Sequence, residues 1–510
     1  MLSASQTIID EKELLGFAEQ KSILLDGKAV DALRQRPDWK ELLEELGKRN
    51  EFFVSGEKIS NLIVEKKVKI ERIETVRVEA GRKKFIAEEL ESNYRILEEF
   101  DVTGKSTSGA SVDSFINYFR ERFTTLKELL EKRSLDAKPL GRLGKAIKGK
   151  EISVIGMVQK KWLTKKGHFA LTIEDLDDEA LVVVLKDNKA AFSQAKNVLL
   201  DDVICVKGKK ASEEMIIGEE IIWPDIPLRK PKTGGRPLDL VVTSDTHIGS
   251  KLFLESAFTR FISWLNGNTS SEKELERIGR VKYLVIAGDV VDGCGVYPEQ
   301  FNELVIPDIY RQYEAFSSFI EQIPEHIEVF ITPGQHDAVR WADPMPAIPE
   351  EFLPNLYKLK NVHLLGSPSM VEVEGLKTLI YHGPGLHGYF SNLDGVKFSS
   401  PDTAMIEALK RRNLMPSYGD RQILVPEKRD YLLIREVPDI FVTADIHHNG
   451  FKQYKGTILI NGGCWQKQTD YQLKQGHVPT PGIVPQLSLD SLRLVEHHFL
   501  PASDAGDKID

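Results

Sequence analysis

The sequence predicts an α/β protein built in sections: a small helical module, a β-barrel, and a larger sheet domain with candidate metal ligands gathered along one sheet edge. Three observations predict it. Five clusters of oxygen and imidazole donors lie in order across the second half of the chain: Ser244-Asp245-Thr246-His247, Gly288-Asp289-Val290-Val291-Asp292, Gly334-Gln335-His336-Asp337, Tyr381-His382-Gly383 and Ala444-Asp445-Ile446-His447. Each follows an apolar or β-branched run, such as Leu240-Val241-Val242-Thr243 or Tyr283-Leu284-Val285-Ile286-Ala287, which is how a buried strand looks before its loop. Short alternating runs between residues 150 and 225 have the spacing of a five-stranded barrel, and helical apolar spacing precedes them.

Composition sets the bounds. At 510 residues the chain should hold several domains of about 100 to 200 residues each. Its 68 basic and 77 acidic residues give a net charge of −9, which excludes a general polyanion binder, although bound cations can supply positive charge where a phosphate must sit. Cys205, Cys294 and Cys464 are the only cysteines, too scattered for a disulfide framework or a cysteine-rich metal cluster. An intracellular, cytoplasmic setting is expected, with no membrane partner, because no apolar stretch of about 18 residues occurs and Met1-Leu2-Ser3-Ala4-Ser5 does not open a signal peptide. Of twelve histidines only His168 precedes residue 247, so imidazole chemistry belongs to the C-terminal half.

Residues 1–75 read as a helical N-terminal module: Ile8, Leu14, Leu15, Phe17 and Ala18 share a face, and Leu42, Leu43 and Leu46 repeat the pattern after Pro37. Residues 76–110 are charged and polar and read as a linker ending in Thr103-Gly104-Lys105-Ser106-Thr107-Ser108-Gly109. Gly-Lys-Ser is the end of a nucleotide-loop fingerprint, but Glu99 stands where the earlier glycine is required and no strand runs into the segment. Residues 111–230 read as a helix plus an OB-fold barrel. The helix carries Val112, Phe115, Ile116, Phe119, Phe123, Leu126 and Leu130 on one stripe behind a Ser111 cap, and the barrel strands begin with 152–158, 169–173, 181–185 and 203–208. Lys160, Lys161, Trp162, Lys165 and Lys166 form either a cation-and-aromatic surface of the kind single-strand grooves use or a solvated hairpin tip with the tryptophan packed on the barrel. A linker rich in proline and glycine leads into residues 237–505.

Oxygen donors beside imidazoles, with no cysteine among them, suit hard or borderline divalent ions, Mn²⁺, Mg²⁺, Zn²⁺ or Fe²⁺, rather than a structural zinc. Together the clusters read as a two-metal phosphodiesterase site: two ions about 3.5 to 4 Å apart acidify water and clamp the phosphate oxygens. Asp289 is the bridging candidate, one carboxylate oxygen to each ion. Asp245 and His247, one residue apart, reach one ion, and His382 and Gln335 serve the other.

The series Asp-x-His, Gly-Asp-x-x-Asp-Gly, Gly-x-His-Asp, His and x-x-His resembles that of the calcineurin-like metallophosphoesterases. The stretches 288–298, 333–338 and 461–469, with Thr103-Gly104-Lys105-Ser106-Thr107 and Pro479-Thr480-Pro481-Gly482, resemble more closely the small subunits of archaeal family-D DNA polymerases. The resemblance covers about residues 100 to 500. It implies a two-sheet calcineurin-like phosphoesterase sandwich flanked by helices over 237–505, preceded by the OB-fold barrel. It also implies a metal-dependent 3′→5′ exonuclease that proofreads for a separate large catalytic subunit, in a heterodimer or larger assembly, on single-stranded or mismatched 3′ ends of DNA at the nucleoid.

Carried over by position, Asp245, His247, Asp289 and His447 hold one metal, and Asp289, Gln335, His382 and Asp445 the other, with Mn²⁺ favoured. His336 protonates the leaving 3′ oxygen or stabilises the transition state, Asp337 orients it, and Asp292 accepts a hydrogen bond from outside the ligand set. Two positions depart from the pattern. Gln335 replaces an asparagine, and Asp445 replaces a histidine, which favours harder ions; His448 is the substitute ligand if the loop register has slipped. A scaffold with a decayed site, like accessory subunits of eukaryotic replicative polymerases, is the alternative, and a small-molecule phosphatase a third reading. Retention of Asp245, His247, Asp289, His336, His382 and His447 favours the enzyme. His387 is expected to shape a loop, His326, His363, His477, His497 and His498 to sit at the surface or in packing, and Arg411, Arg412, Lys428 and Arg429 to form a solvated face rather than a phosphate-binding one.

Overall fold

The computed structural model describes residues 11–21, 23–34, 39–48, 53–56, 59, 85–107, 109, 111–133, 136–474 and 476–500. The chain divides into two compact units, residues 1–83 and 84–510. In the first, helices α1 (Glu11–Gln20), α2 (Gly27–Arg34) and α3 (Trp39–Lys48) accompany a parallel pair of two-residue strands, β1 (Leu24–Leu25) and β2 (Phe53–Val54). Leu14, Ala18, Leu33, Trp39, Leu42, Leu43 and Leu46 form its core. Leu15, expected on the buried face, is exposed, because it lies one residue, about 100°, round the helix from Leu14; Ile8 lies outside the described residues.

The second unit begins inside the stretch that reads as linker, and residues 85–107 are folded rather than free. Strand β3 (Tyr94–Ile96) pairs antiparallel with β13 (Ser369–Val373). The Gly104-Lys105-Ser106 turn is held down by the Glu427 carboxylate, which accepts from Ser106 Oγ, Thr107 N and Thr107 Oγ1 at 2.6–2.8 Å. Helix α4 (Val112–Glu131) starts at Ser111, whose hydroxyl accepts from Ser114 N. Its stripe is rotated from the expected one: Val112 is 76% exposed, whereas Tyr118 and Arg122 are buried. The reason lies far along the chain, where Asp430 takes Tyr118 Oη at 2.6 Å and Arg122 Nε at 2.8 Å.

Strands β4 (Glu151–Leu163), β5 (Phe169–Glu174), β6 (Glu179–Val184), β7 (Val203–Lys210) and β8 (Met215–Ile222) close a barrel in the order β4-β5-β6-β8-β7, with α5 (Lys189–Lys196) between the third and fourth strands. That is the OB arrangement. Phe123, Leu126 and Leu130 of α4 pack on its Ile155, Val203 and Cys205. Trp162 is 43% exposed and the neighbouring Leu163 59%, so the tryptophan is not tucked onto the barrel. Arg411 and Arg412 are buried instead of solvated: Arg411 pairs with Asp202 of the barrel at 3.0 Å, and Arg412 donates to the carbonyls of Ile434 and Arg435.

Two six-stranded sheets complete the unit. One has the order β12-β11-β10-β9-β18-β19, from β9 (Asp239–Thr243), β10 (Val281–Ala287), β11 (Glu328–Thr332), β12 (Val362–Leu364), β18 (Ile483–Ser488) and β19 (Leu494–His498). The other runs β16-β17-β15-β14-β13-β3, with β14 (Leu376–Ile380), β15 (Ile440–Thr443), β16 (Gly450–Tyr454) and β17 (Thr457–Asn461). Val242, Val285 and Phe330 from the first meet Val371, Ile380, Val442 and Ile460 from the second in one core, a two-layer sandwich. Helix α6 (Asp402–Arg411) covers the outer face of the second sheet through Met405 and Leu409. Strands β9, β10 and β11 are mutually parallel, as are β14 and β15, so the loops after all five leave from strand carboxyl ends, where open α/β sheets place their ligands. No described helix is long and apolar enough to cross a membrane.

Candidate metal centre

The loops that follow β9, β10 and β15 bend sharply. Asp245, His247, Asp289, Asp445 and His447 all take left-handed backbone, with φ of +50°, +47°, +48°, +69° and +57°. Such residues cost about 1–3 kcal/mol each and persist where their surroundings over-determine them; aspartate and histidine tolerate the region better than most. Cross-links between loops supply that determination. Asp245 N donates to the Gly288 carbonyl, His247 N to that of Asp289, and Asp445 N to Asp245 Oδ2. Gly334 makes room: a Cβ there would stand 2.2 Å from Asp289 Oδ1 and 2.6 Å from His382 Nε2.

Three triads of converging ligand atoms result among the described residues, each within 4.8 Å: Asp245 with His247 and His447, Asp245 with Asp289 and His382, both buried, and His247 with Asp292 and the half-buried His336. His447 Nε2 lies 3.4 Å from Asp245 Oδ1 and 3.1 Å from His247 Nε2. Asp289 Oδ2 stands between the two halves, 3.3 Å from His382 Nε2 and 3.8 Å from His247 Nε2. Its Oδ1 accepts from His336 N at 2.8 Å. Asp445 Oδ1 approaches His382 Nε2 at 3.8 Å.

Outer partners fix which nitrogen His382 and His247 present. His382 Nδ1 lies 2.7 Å from the Ala287 carbonyl and His247 Nδ1 lies 3.1 Å from Asp292 Oδ1. Both contacts call for a proton on Nδ1, which leaves Nε2 free to ligate. Asp292 also accepts from Gln300 and Gln466, so it holds the His247 ring in place. Asp245 Oδ1 and His382 Nε2, both buried, have no hydrogen-bond partner among the described residues.

Charge makes the same point. Burial works against ionisation of Asp289, yet His382, His336 and His247 overcome it and hold the carboxyl far below the carboxylate range. Burial likewise works against a charged His382, and the carboxylates Asp289, Asp245 and Asp445 override it and raise the imidazole well above its ordinary value. His447 is raised well above its own, against burial, by Cys464 and Asp245, while burial lowers His247. A pocket that draws protons onto its imidazoles is one in which a divalent cation can replace them. The donor set of carboxylate oxygens and Nε2 atoms therefore fits such an ion.

Asp245, His247, Asp289, His382, Asp445 and His447 are thus brought together. Gln335 directs its Nε2 toward Gln422 Oε1 at 3.4 Å. Asp337 does not touch the His336 ring; it accepts from Gly334 N, Val290 N and Tyr313 Oη and stiffens the loop, while burial pushes its carboxyl up to about 7. His336 is oriented by the Asp292 carbonyl, 2.7 Å from Nδ1. His387 does more than shape a loop, since its Nε2 lies 2.7 Å from Asp445 Oδ2. His448 faces the Asn449 carbonyl through Nδ1 and is no substitute ligand. Gln300, Gln466 and Gln472, whose Nε2 is 2.9 Å from His447 Nδ1, carry no signal in sequence beyond their place among polar loop residues.

A family model for the B-type subunits of DNA polymerases alpha and epsilon matches residues 240–453. Among curated proteins, the DNA polymerase II small subunit of Methanocaldococcus jannaschii is 38% identical over 421 residues, 82% of this chain and 71% of that one. Its counterpart in Methanothermobacter thermautotrophicus is 35% identical over 488 residues, 95% and 99% of the two chains, and that in Pyrococcus horikoshii 39% identical over 407 residues, 77% and 64%. A solved archaeal phosphodiesterase aligns with 51% of this chain and 99% of its own at 14% identity and a TM-score of 0.26, too slight a likeness to carry an inference.

Proposed function

Since the chain belongs to the family of archaeal DNA polymerase II small subunits, we propose that its buried Asp and His cluster is a two-metal 3′→5′ exonuclease site that removes mismatched or single-stranded DNA ends for the polymerase. A small subunit implies a large catalytic subunit as partner. The observation that carries the proposal is the convergence of Asp245, Asp289 and His382, with Asp245 Oδ1 and His382 Nε2 making no hydrogen bond among the described residues.

Asp245, His247, Asp289 and His447 would hold one ion, and Asp289, Gln335, His382 and Asp445 the other, with Gln335 using Oε1 while its Nε2 faces Gln422 Oε1. Divalent ions bound there, Mn²⁺ first among them, would neutralise charge on the phosphate and lower the pKa of the attacking water. The protein supplies the rest. His336 Nδ1 is tied to the Asp292 carbonyl, so Nε2 is the atom that hands a proton to the departing 3′ oxygen. Asp337 keeps that loop in register through the Gly334 and Val290 amides. Tyr297, 41% exposed and with its ring 6.2 Å from that of His336, offers a face on which a terminal base can stack. A site so used belongs at the nucleoid in the cytoplasm.

The scaffold reading draws on the two departures from the resemblance, Gln335 and Asp445. A 5′-labelled, 3′-mismatched primer with Mn²⁺ and the large subunit present separates the two. Shortening from the 3′ end that falls at least about 100-fold in His336→Ala and vanishes in Asp289→Ala supports the exonuclease. An unshortened primer with the wild-type chain supports the scaffold.

A further inference from the structure

Asp445 stands where the resemblance calls for an imidazole, and the structure returns an imidazole to that place from another element. His387 opens a short helix, His387–Asn392, 58 residues away from Asp445 in sequence. Its Nε2 meets Asp445 Oδ2 at 2.7 Å, while Asp445 Oδ1 points toward His382 Nε2 at 3.8 Å and the Asp445 amide is pinned to Asp245 Oδ2. The carboxylate is thus held at both ends. One oxygen is occupied by His387 and the other is presented to the centre.

We propose that His387 is a positioning residue for the second ion: by donating from Nε2 to Asp445 Oδ2, it makes Asp445 a one-oxygen ligand through Oδ1. The proposal rests on the two-metal reading above. Without a donor on Oδ2 the side chain is free to rotate about its terminal bond or to offer both oxygens, and a ligand that must be re-aimed binds more weakly. Losing an outer partner of this kind typically costs about 10–100-fold in metal affinity. A glutamine at 387 can place an amide N–H near the position of the imidazole Nε2–H, so it should restore the donor while removing the ring.

Calorimetric titration of the metal-free full chain with Mn²⁺ alone tests this without recourse to activity. The wild type should take two ions. In His387→Ala the first should bind as before and the second at least about 10-fold more weakly, and His387→Gln should recover most of the loss. In the Asp445→Ala background, His387→Ala should weaken the second site no further, because the two residues act through one ligand. Unchanged second-site affinity in His387→Ala, failure of His387→Gln to recover it, or a further full loss in the double variant overturns the positioning role while the two-metal reading stands. Fewer than two ions on the wild type overturns the reading itself, and the positioning role with it.

Discussion

Asp343 shows what one buried carboxyl does to the molecule. It is fully buried, accepts from Tyr381 Oη at 2.7 Å and leaves Oδ1 without a partner among the described residues; burial pushes it up to about 7 despite the Tyr381 hydroxyl. A carboxyl that holds its proton more tightly when folded stabilises the fold fully below the unfolded value near 4, and that contribution is lost as pH rises to about 7. Asp343→Asn should therefore be more stable than wild type at pH 8 in EDTA, by a few kcal/mol at about 1.4 kcal/mol for each tenfold change in proton affinity, with the difference shrinking toward pH 5; urea midpoints at the two pH values measure it. At this scale the sequence displays the candidate ligands and conceals what aims them. Asp245, His247 and Asp289 announce themselves by following strands, whereas the pairing of His387 with Asp445 or of Gln472 with His447 joins residues 58 and 25 apart, and no local pattern encodes it. Asp337 is visible as a motif member, but its service to backbone amides rather than to His336 depends on a turn only the fold provides.

Elements are legible where burial writes a pattern. The apolar runs of β9 and β10 are buried throughout, as strands covered on both faces must be, and the barrel strands alternate. Strand β3 is hidden because Tyr94-Arg95-Ile96 sits in charged surroundings and gains its place only by pairing with β13. Helix α4 lies where its periodicity predicts, but its rotation has no local signal, because Arg122 turns inward for Asp430, 308 residues away. Arg411, at the end of α6, departs from expectation for the same reason: an arginine that looks solvated in sequence joins α6 to the barrel through Asp202, both side chains 2% exposed. Arg411→Met takes the cation from Asp202 Oδ1 while Leu199 N and Trp223 Nε1 still donate to Oδ2, and should cost about 3–5 kcal/mol, seen as a lower urea midpoint. A loss below about 1 kcal/mol, the range of a surface pair, would mean the contact binds nothing together.

For the whole molecule, the order of helical module, barrel and sheet domain can be read from composition and periodicity and the two-sheet sandwich only from the family resemblance, while the strand order of the two sheets cannot be read, since parallel neighbours come from distant segments. The division after residue 83 leaves every candidate ligand in the second unit. Residues 84–510 produced alone should therefore bind Mn²⁺ with the stoichiometry of the full chain, and loss of binding on removal of residues 1–83 would show that the centre depends on the first unit. The direct test of the account is anomalous diffraction at the manganese edge from crystals soaked in Mn²⁺. Two peaks are expected beside Asp289 Oδ2, one reached by Asp245, His247 and His447 and the other by His382 and Asp445. No peak there, or a peak touching none of these side chains, would contradict it.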